Sequence, residues 1–371
     1  MVGGFTVFKC LMYEFARQTI VMNILITGAT GYIGHQLVLK AVSEGYHVNI
    51  LVRDPNSENV PKHPSVESFP GDVGDKLSIQ RAMRGCEHVI HAAGITRLQA
   101  RDKDVFYKIN VDGTRNMLQS AFEAGVRKFI FTSSCAVLGR SFRDPVTEAD
   151  PRLTAFENDY EISKFAAEEL VREYCKRGLQ AVIVSPSRVY GPGLTTDGNP
   201  ITSFISRTLK RGFAFVPSCK DVVGNYVFID DVVNGHFLAL NNGRPGEKYN
   251  LGGINMSYGA FFEAISRMAS SPVKFYPLPK WILQAVSISA MISSRIAGRE
   301  THLSPSVITR LFQHRAVSSE KAINEFGYKI TELDDGLAKT FAFLNSNGYE
   351  RNEQVRLDHG GRERLRQVPV R

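Results

Sequence analysis

Tyr160 and Lys164 stand four residues apart in Tyr160-Glu161-Ile162-Ser163-Lys164, a spacing that puts both side chains on one face of a helix. A free phenol, with a pKa of about 10, exchanges protons poorly at neutral pH, and a neighbouring ammonium that stabilises its anion makes it a usable acid and base. A surface tyrosine beside a solvated lysine is the plain alternative, and spacing alone does not separate the two. Ser134 adds weight, because it follows the apolar run Phe129-Ile130-Phe131-Thr132. A buried strand ending in hydroxyls is where a doubly wound sheet presents groups to a ligand. The Ser134 hydroxyl could orient a substrate oxygen, or it could cap a turn.

The second constellation is Ile24-Leu25-Ile26-Thr27-Gly28-Ala29-Thr30-Gly31-Tyr32-Ile33-Gly34, a short apolar strand running through three glycines into a helix. Gly28, Gly31 and Gly34 allow a tight turn, close approach of a pyrophosphate and packing of the helix on the strand, while the helix N-terminus offers free N–H groups. Together with Tyr160 and Lys164 this points to redox chemistry with a nicotinamide dinucleotide. The second strand ends Leu51-Val52-Arg53, where an acid would accept from an adenosine ribose. Val52 holds that place and Arg53 offers a planar fork suited to a 2′-phosphate, so NADP(H) is preferred, with NAD(H) open through Asp54. Lys62 is a weaker phosphate candidate and more simply a surface lysine. Asp72, after the third strand, could accept from an adenine amino group or hold an ordinary turn. Ala92 and Ala93 end the fourth strand with side chains small enough for a cofactor to lie against the backbone, and His91 reads as a packed core histidine.

The elements that must position these groups follow from periodicity. Apolar runs alternate with amphipathic segments through the first half, the pattern of a parallel sheet covered on both faces. Strands are expected at 23–27, 47–52, 66–69, 88–91, 128–132 and 180–185, with a helix at 114–123. The expected fold is α/β, a doubly wound parallel sheet of Rossmann type with a smaller C-terminal α/β substrate lobe. Its divisions are an N-terminal extension (1–21), a dinucleotide-binding domain (22–185, with a returning segment near 225–240), a substrate lobe (186–344) and a basic disordered tail (345–371). Pro186, Gly191, Pro192, Gly193, Gly198 and Pro200 mark an irregular loop suited to one wall of a cleft. Asp230 and Asp231 read as a helix start.

With 371 residues, 43% hydrophobic and 22% charged, the chain is of ordinary globular composition and long enough for about two domains. Its five cysteines are scattered without metal-ligand spacing, which predicts reduced thiols, a cytoplasmic location and no metal. The net charge of +8 is spread along the chain and crowded into the tail, so no nucleic-acid partner is expected. Lys9, Glu14 and Arg17 interrupt the first 21 residues, which argues against a signal peptide and makes Met22 a plausible alternative start. The stretch 281–296 falls short of the ~20 apolar residues a spanning helix needs. It is expected to be a buried or lid helix, with no transmembrane span but a peripheral membrane contact open. Phe204, Phe213, Phe215 and Trp281 suggest either an apolar substrate or core.

Several motifs in order resemble one family: Thr27-Gly28-x-x-Gly31-x-x-Gly34, Asp72-Val73, His91-Ala92-Ala93, Asn110-Val111-x-Gly113-Thr114-x-Asn116, Ser133-Ser134, Tyr160-x-x-x-Lys164 and Pro186-Ser187-x-Val189-Tyr190-Gly191-Pro192-Gly193. Over roughly 22–344 they look like the extended short-chain dehydrogenase/reductases of the NAD-dependent epimerase/dehydratase family. The resemblance implies Ser134, Tyr160 and Lys164 as a catalytic trio. It implies Asn110 as the residue holding the active-site helix and a proton-relay water. It also implies Thr30, Tyr32, Ile33, Val73 and Pro186 as further cofactor contacts, and a possible homodimer. The Thr-Asp-Glu of sugar-nucleotide dehydratases is replaced here by Ser134-Cys135-Ala136, and the arginine clamp of nucleotide-sugar epimerases by Gly224-Asn225. Leu51-Val52-Arg53-Asp54-Pro55 and Gly246-Glu247-Lys248-Tyr249-Asn250-Leu251-Gly252-Gly253 are similar to the dihydroflavonol 4-reductase-like group and the hopanoid-associated epimerase-like proteins. The resemblance thus implies a carbonyl reductase or alcohol dehydrogenase acting on a small molecule. The alternatives are a sugar epimerase that retains its cofactor and a dinucleotide-binding sensor without turnover.

Overall fold

The computed structural model describes residues 22–96, 104–142, 144–196, 198–296 and 304–346. The N-terminal extension and, apart from its first two residues, the basic tail lie outside them. Strands β1 (Asn23–Thr27), β2 (His47–Val52), β3 (Val66–Pro70), β4 (His88–His91), β5 (Lys128–Thr132) and β6 (Ala181–Pro186) form a parallel sheet in the order β6-β5-β4-β1-β2-β3. Side chains alternate between two apolar layers, as a strand's period of two requires. Ile26, Ile50, Ile90, Ile130 and Val182 lie in register and face a layer shared with helices α1 (Tyr32–Ser43) and α6 (Ile229–Asn242). Leu25, Leu51, Val89, Phe129 and Ile183 face the opposite layer, with α2 (Lys76–Met83), α3 (Gly113–Glu123) and α4 (Asp159–Lys176). Burying each such side chain stabilises the fold by roughly 1.5–3 kcal/mol. The strands therefore read as near-continuous apolar runs.

A seventh strand, Lys248–Leu251, pairs in parallel with β6. The six expected strands thus understate the sheet, and the chain returns to it beyond the expected 225–240. The equally short β4 carries an apolar pair at its centre, whereas Lys248-Tyr249-Asn250-Leu251 places polar residues at its first and third positions, and only long-range pairing identifies it as a strand. Before it come β7 (Arg188–Tyr190), β8 (Phe213–Pro217) and β9 (Val223–Phe228), and the seventh strand of the large sheet is β10. With β11 (Ile254–Ser257), β9 and β7 make a three-stranded sheet, while β12 (Lys274–Leu278) pairs with β8. Helices α5 (Pro200–Arg211) and α7 (Tyr258–Met268) pack on these small sheets, and α8 (Lys280–Ile296) packs against α9 (Pro305–Leu311).

The expected helix at 114–123 begins at Gly113 and is preceded by a π-helical turn, Tyr107–Asp112, that the sequence pattern did not indicate. Of the buried or lid helix expected at 281–296, the structure excludes the buried form for α8: Trp281 is 69% exposed, and Val286, Ile288 and Ile292 are exposed as well. Among the described residues no helix is long and apolar enough to cross a membrane. Asp230 and Asp231 lie in the first turn of α6, and both Asp231 carboxylate oxygens accept from Thr331.

Helix α4 is tied to the C-terminal part of the chain through one carboxylate. Asn158 caps α4 by accepting from Glu161 N at 2.9 Å. Glu161, fully buried, accepts from Arg152 Nη2 at 2.6 Å and from Arg310 Nη1 of α9, with Arg315 Nη1 at 3.8 Å. Removing the acid leaves buried guanidiniums without their counter-charge, the costly way to break such a pair. Glu161→Gln is expected to destabilise the protein by roughly 3–5 kcal/mol in urea titrations followed by circular dichroism. A loss below about 1 kcal/mol, the size of a surface ion pair, would show the cluster to be solvated.

Candidate active site

The carboxyl ends of β1, β2, β4, β5 and β6 open onto one cavity of about 1030 Å3. It lies at the point where the sheet order reverses, since β1 pairs with β2 on one side and β4 on the other. At the β1 end, Gly28, Thr30, Gly31, Tyr32, Ile33 and Gly34 line it. Gly28 has a φ of +77°, and a Cβ there would lie 2.8 Å from the Ala92 backbone. Gly34 leaves no room for a side chain either, because its Cβ would sit 2.1 Å from Gly28 O. Helix α1 starts with no side-chain cap and no acid in its first turn, so its N–H groups face the cavity.

Farther along lie Arg53, Asp72, Val73, Ala92 and Ala93, with Val52 closing the strand end. Arg53 is exposed on this wall, whereas Asp54 Oδ1 accepts from Asn56 N at 2.9 Å and holds a turn. Asp72 likewise uses Oδ1 to accept from Gly74 N at 2.8 Å. Lys62 does not line the cavity. His91 is fully buried between Thr27 Oγ1 at 2.7 Å and Thr114 Oγ1 at 3.1 Å, and burial pushes its pKa down to about 3. It is a neutral packing residue.

Ser134, Tyr160, Lys164 and Pro186 line the deeper part of the same cavity. Ser134 ends the extended segment after β5, and its Oγ accepts from Ala136 N at 3.1 Å. Its hydroxyl also faces the Tyr160 phenol. Burial pushes the Tyr160 pKa up, while Ser134 and the Arg310 charge pull it back. Lys164 Nζ donates to Thr132 O at 2.7 Å and lies 4.5 Å from the Phe131 ring centre. Burial brings Lys164 down to about 8, with the Glu168 carboxylate opposing. An ammonium so poised can stabilise a phenolate or release its own proton near neutral pH.

Asn110 does not line the cavity, but it holds the wall in place. The π-helical turn swings it inward, where Oδ1 accepts from Ile95 N at 2.8 Å and Nδ2 donates to Ser163 Oγ at 3.0 Å. Ser163 lies between Tyr160 and Lys164 in sequence and donates back to Tyr160 O.

Several groups escaped the sequence reading. Glu168 continues the face of Tyr160 and Lys164 at the next four-residue step, a spacing that could have revealed it. It accepts from Ser133 Oγ at 2.6 Å and pairs with Lys248 of β10 at 2.8 Å. Arg188, Tyr226, Tyr258 and Arg310 line the cavity from distant parts of the chain and were not among the expected site residues. Of the four aromatics singled out, Phe204 and Phe215 line it, whereas Phe213 and Trp281 do not.

The site fits a nicotinamide dinucleotide on its own terms. A bare helix N-terminus and a glycine turn with no space for a Cβ meet the diphosphate requirement, and the buried Ser187 Oγ on the deep wall has no hydrogen-bond partner among the described residues.

The chain is 31% identical over 274 residues to sterol demethylase protein B of Methylococcus capsulatus, covering 72% of this chain and 80% of the relative. It is 27% identical over 342 residues to a provisionally assigned dihydroflavonol 4-reductase of Synechocystis sp., covering 88% of this chain and 96% of that one. Among solved structures, that of gox2253 superposes with a TM-score of 0.71 at 30% identity, covering 88% of this chain and 99% of the other. The profile of the NAD dependent epimerase/dehydratase family matches residues 24–252, more than half of the chain. With its parallel sheet, glycine turn and cavity at the switch point, the protein belongs to that family.

Proposed function

We propose that the protein is an NADP(H)-dependent oxidoreductase that reduces a ketone or aldehyde, or oxidises the corresponding alcohol, on a largely apolar substrate. The observation that carries this reading is the convergence of Ser134, Tyr160 and Lys164 on a cavity whose far end is the glycine turn. The bound nicotinamide would supply or accept the hydride. Tyr160 Oη gives its proton to the carbonyl oxygen in reduction and takes it back in oxidation. Ser134 Oγ donates to that same oxygen and fixes its direction. Lys164, charged, stabilises the phenolate and is placed to donate to ribose hydroxyls. Asn110 is a positioning residue that holds the wall beside Tyr160 and Lys164.

Arg53 on the cavity wall, with Asp54 engaged in its own turn, supports NADP(H) over NAD(H). Phe204, Phe215, Phe261 and Phe262 around the substrate end favour an apolar molecule, in keeping with the sterol named for the Methylococcus relative. A sugar epimerase would use the same trio but return its dinucleotide unchanged, so net cofactor consumption separates the two.

Replacing Tyr160 with Phe removes the proton donor while leaving the cofactor wall intact. Turnover of NADPH with a panel of apolar ketones is expected to fall about 10²–10⁴-fold, with NADPH affinity unchanged by fluorescence titration. Near-normal turnover in this variant would refute the assignment. Arg53→Ala is expected to weaken NADPH about 10- to 150-fold and leave NADH unaffected, since one charge-assisted hydrogen bond contributes roughly 1.5–3 kcal/mol. Equal losses for both cofactors would argue against a phosphate contact. The lowered Lys164 pKa gives a third test. Its ammonium is present below about 8 and lost above, so kcat/KM for carbonyl reduction should hold below that pH and decline as pH rises through it. A profile that climbs through the same range would contradict a role for the ammonium.

A further inference from the structure

The arginines around the substrate end of the cavity are not equally matched. Arg152 and Arg310 donate to Glu161, and Arg315 donates to Glu157 at 2.8 Å. Arg188 lines the cavity yet has no carboxylate partner among the described residues. Its neighbours are phenols: the guanidinium carbon lies 5.3 Å from the Tyr258 ring centre and 5.7 Å from that of Tyr226. Space is left for it at position 224, where a Cβ would lie 2.3 Å from Arg188 Nη1. The Tyr226 and Tyr258 phenols lie within hydrogen-bonding reach of the guanidinium and favour its charged form against burial, and the buried Tyr258 Oη has no other partner among the described residues.

A guanidinium inside a protein that serves only packing is normally met by a carboxylate. Of these four guanidiniums Arg188 is the one without a carboxylate partner among the described residues, and it lines the cavity between two phenols. Burial lowers the Arg310 pKa, Glu161 opposing and the Arg188 charge adding to the effect, so the two arginines feel one another across the cavity wall. Arg310 in turn acts on Tyr160. The surplus positive charge therefore sits on the substrate side of the proposed proton donor.

We propose that Arg188, with Tyr258 Oη and the Arg310 guanidinium beside it, forms a subsite for a compact anionic group, a carboxylate, carried by the otherwise apolar substrate. This rests on the oxidoreductase reading for the placement of the reacting carbon near Tyr160. A guanidinium fork takes a carboxylate in two parallel hydrogen bonds, and the surrounding rings strengthen the pairing by excluding water. A single unmatched arginine walled by aromatics suits one small anion on an apolar body better than a nucleoside diphosphate, which brings more charge and a polar base.

The experiment compares 2-naphthylacetate with its neutral isostere 2-naphthylacetamide by calorimetric titration of the full-length protein without cofactor. The wild-type protein is expected to bind the acid at least tenfold more tightly than the amide. Arg188→Gln should abolish that preference with the amide affinity unchanged. Arg188→Lys, which keeps charge but loses the fork, should reduce it several-fold and stands in if the glutamine variant does not fold. Equal binding of acid and amide by the wild type, or an undiminished preference in either variant, would overturn the proposal. So would Arg188-dependent binding of UDP that excludes the naphthyl acid, since the anion would then be a diphosphate. Because this readout needs no turnover, it stands apart from the Tyr160→Phe assay. Acid preference without any hydride transfer would leave the subsite and remove the oxidoreductase reading.

Discussion

Holding positive charge in a dry place beside the Tyr160 phenol is the constraint on which the site depends. Burial alone pushes that phenol away from useful acidity, and burial equally disfavours the ammonium that would correct it. Glu168 supports the Lys164 charge from the next turn of α4, and its own charge is met by Lys248 from the edge strand β10. Glu161 does the same for Arg310 on the other flank. Each cation near the phenol is thus retained by a carboxylate one step farther from the cavity. Arg188 departs from that pattern, since its guanidinium is met by the Tyr226 and Tyr258 phenols and by no carboxylate among the described residues.

The parallel sheet supplies the rigid part of this arrangement. Strands β1, β2, β4, β5 and β6 are buried on both faces, so their carboxyl ends cannot shift without disturbing two apolar layers at once. The loops that leave those ends carry the glycine turn, Arg53, Ala92, Ser134 and Pro186 to one cavity. The remaining wall comes from short strands and helices with few regular partners. There the aromatic side chains and Arg188 set the shape, so the glycine-turn end of the cavity is built by backbone and the opposite end by side chains. The π-helical turn joins the two, because it directs Asn110 onto Ser163 and so links the loop after β4 to the helix bearing Tyr160 and Lys164.

The sequence by itself determined whatever a few adjacent residues can encode. Strands β1, β2, β4, β5 and β6 were legible because burial on both faces writes an apolar run into each. The glycine turn was legible because backbone conformation and close approach restrict residue type at Gly28 and Gly34. Tyr160 and Lys164 were legible because one helical turn places them together. Tertiary structure alone decided what depends on separations the local pattern cannot record. Glu161 and Arg310 meet across 149 residues, and Lys248 reaches Glu168 across 80. Strand β10 carries Lys248 and Asn250 in place of an apolar run, and helix α8 carries apolar residues that folding leaves exposed. Local geometry follows from covalent reach and steric restriction, whereas the matching of charges is settled only when the whole chain packs.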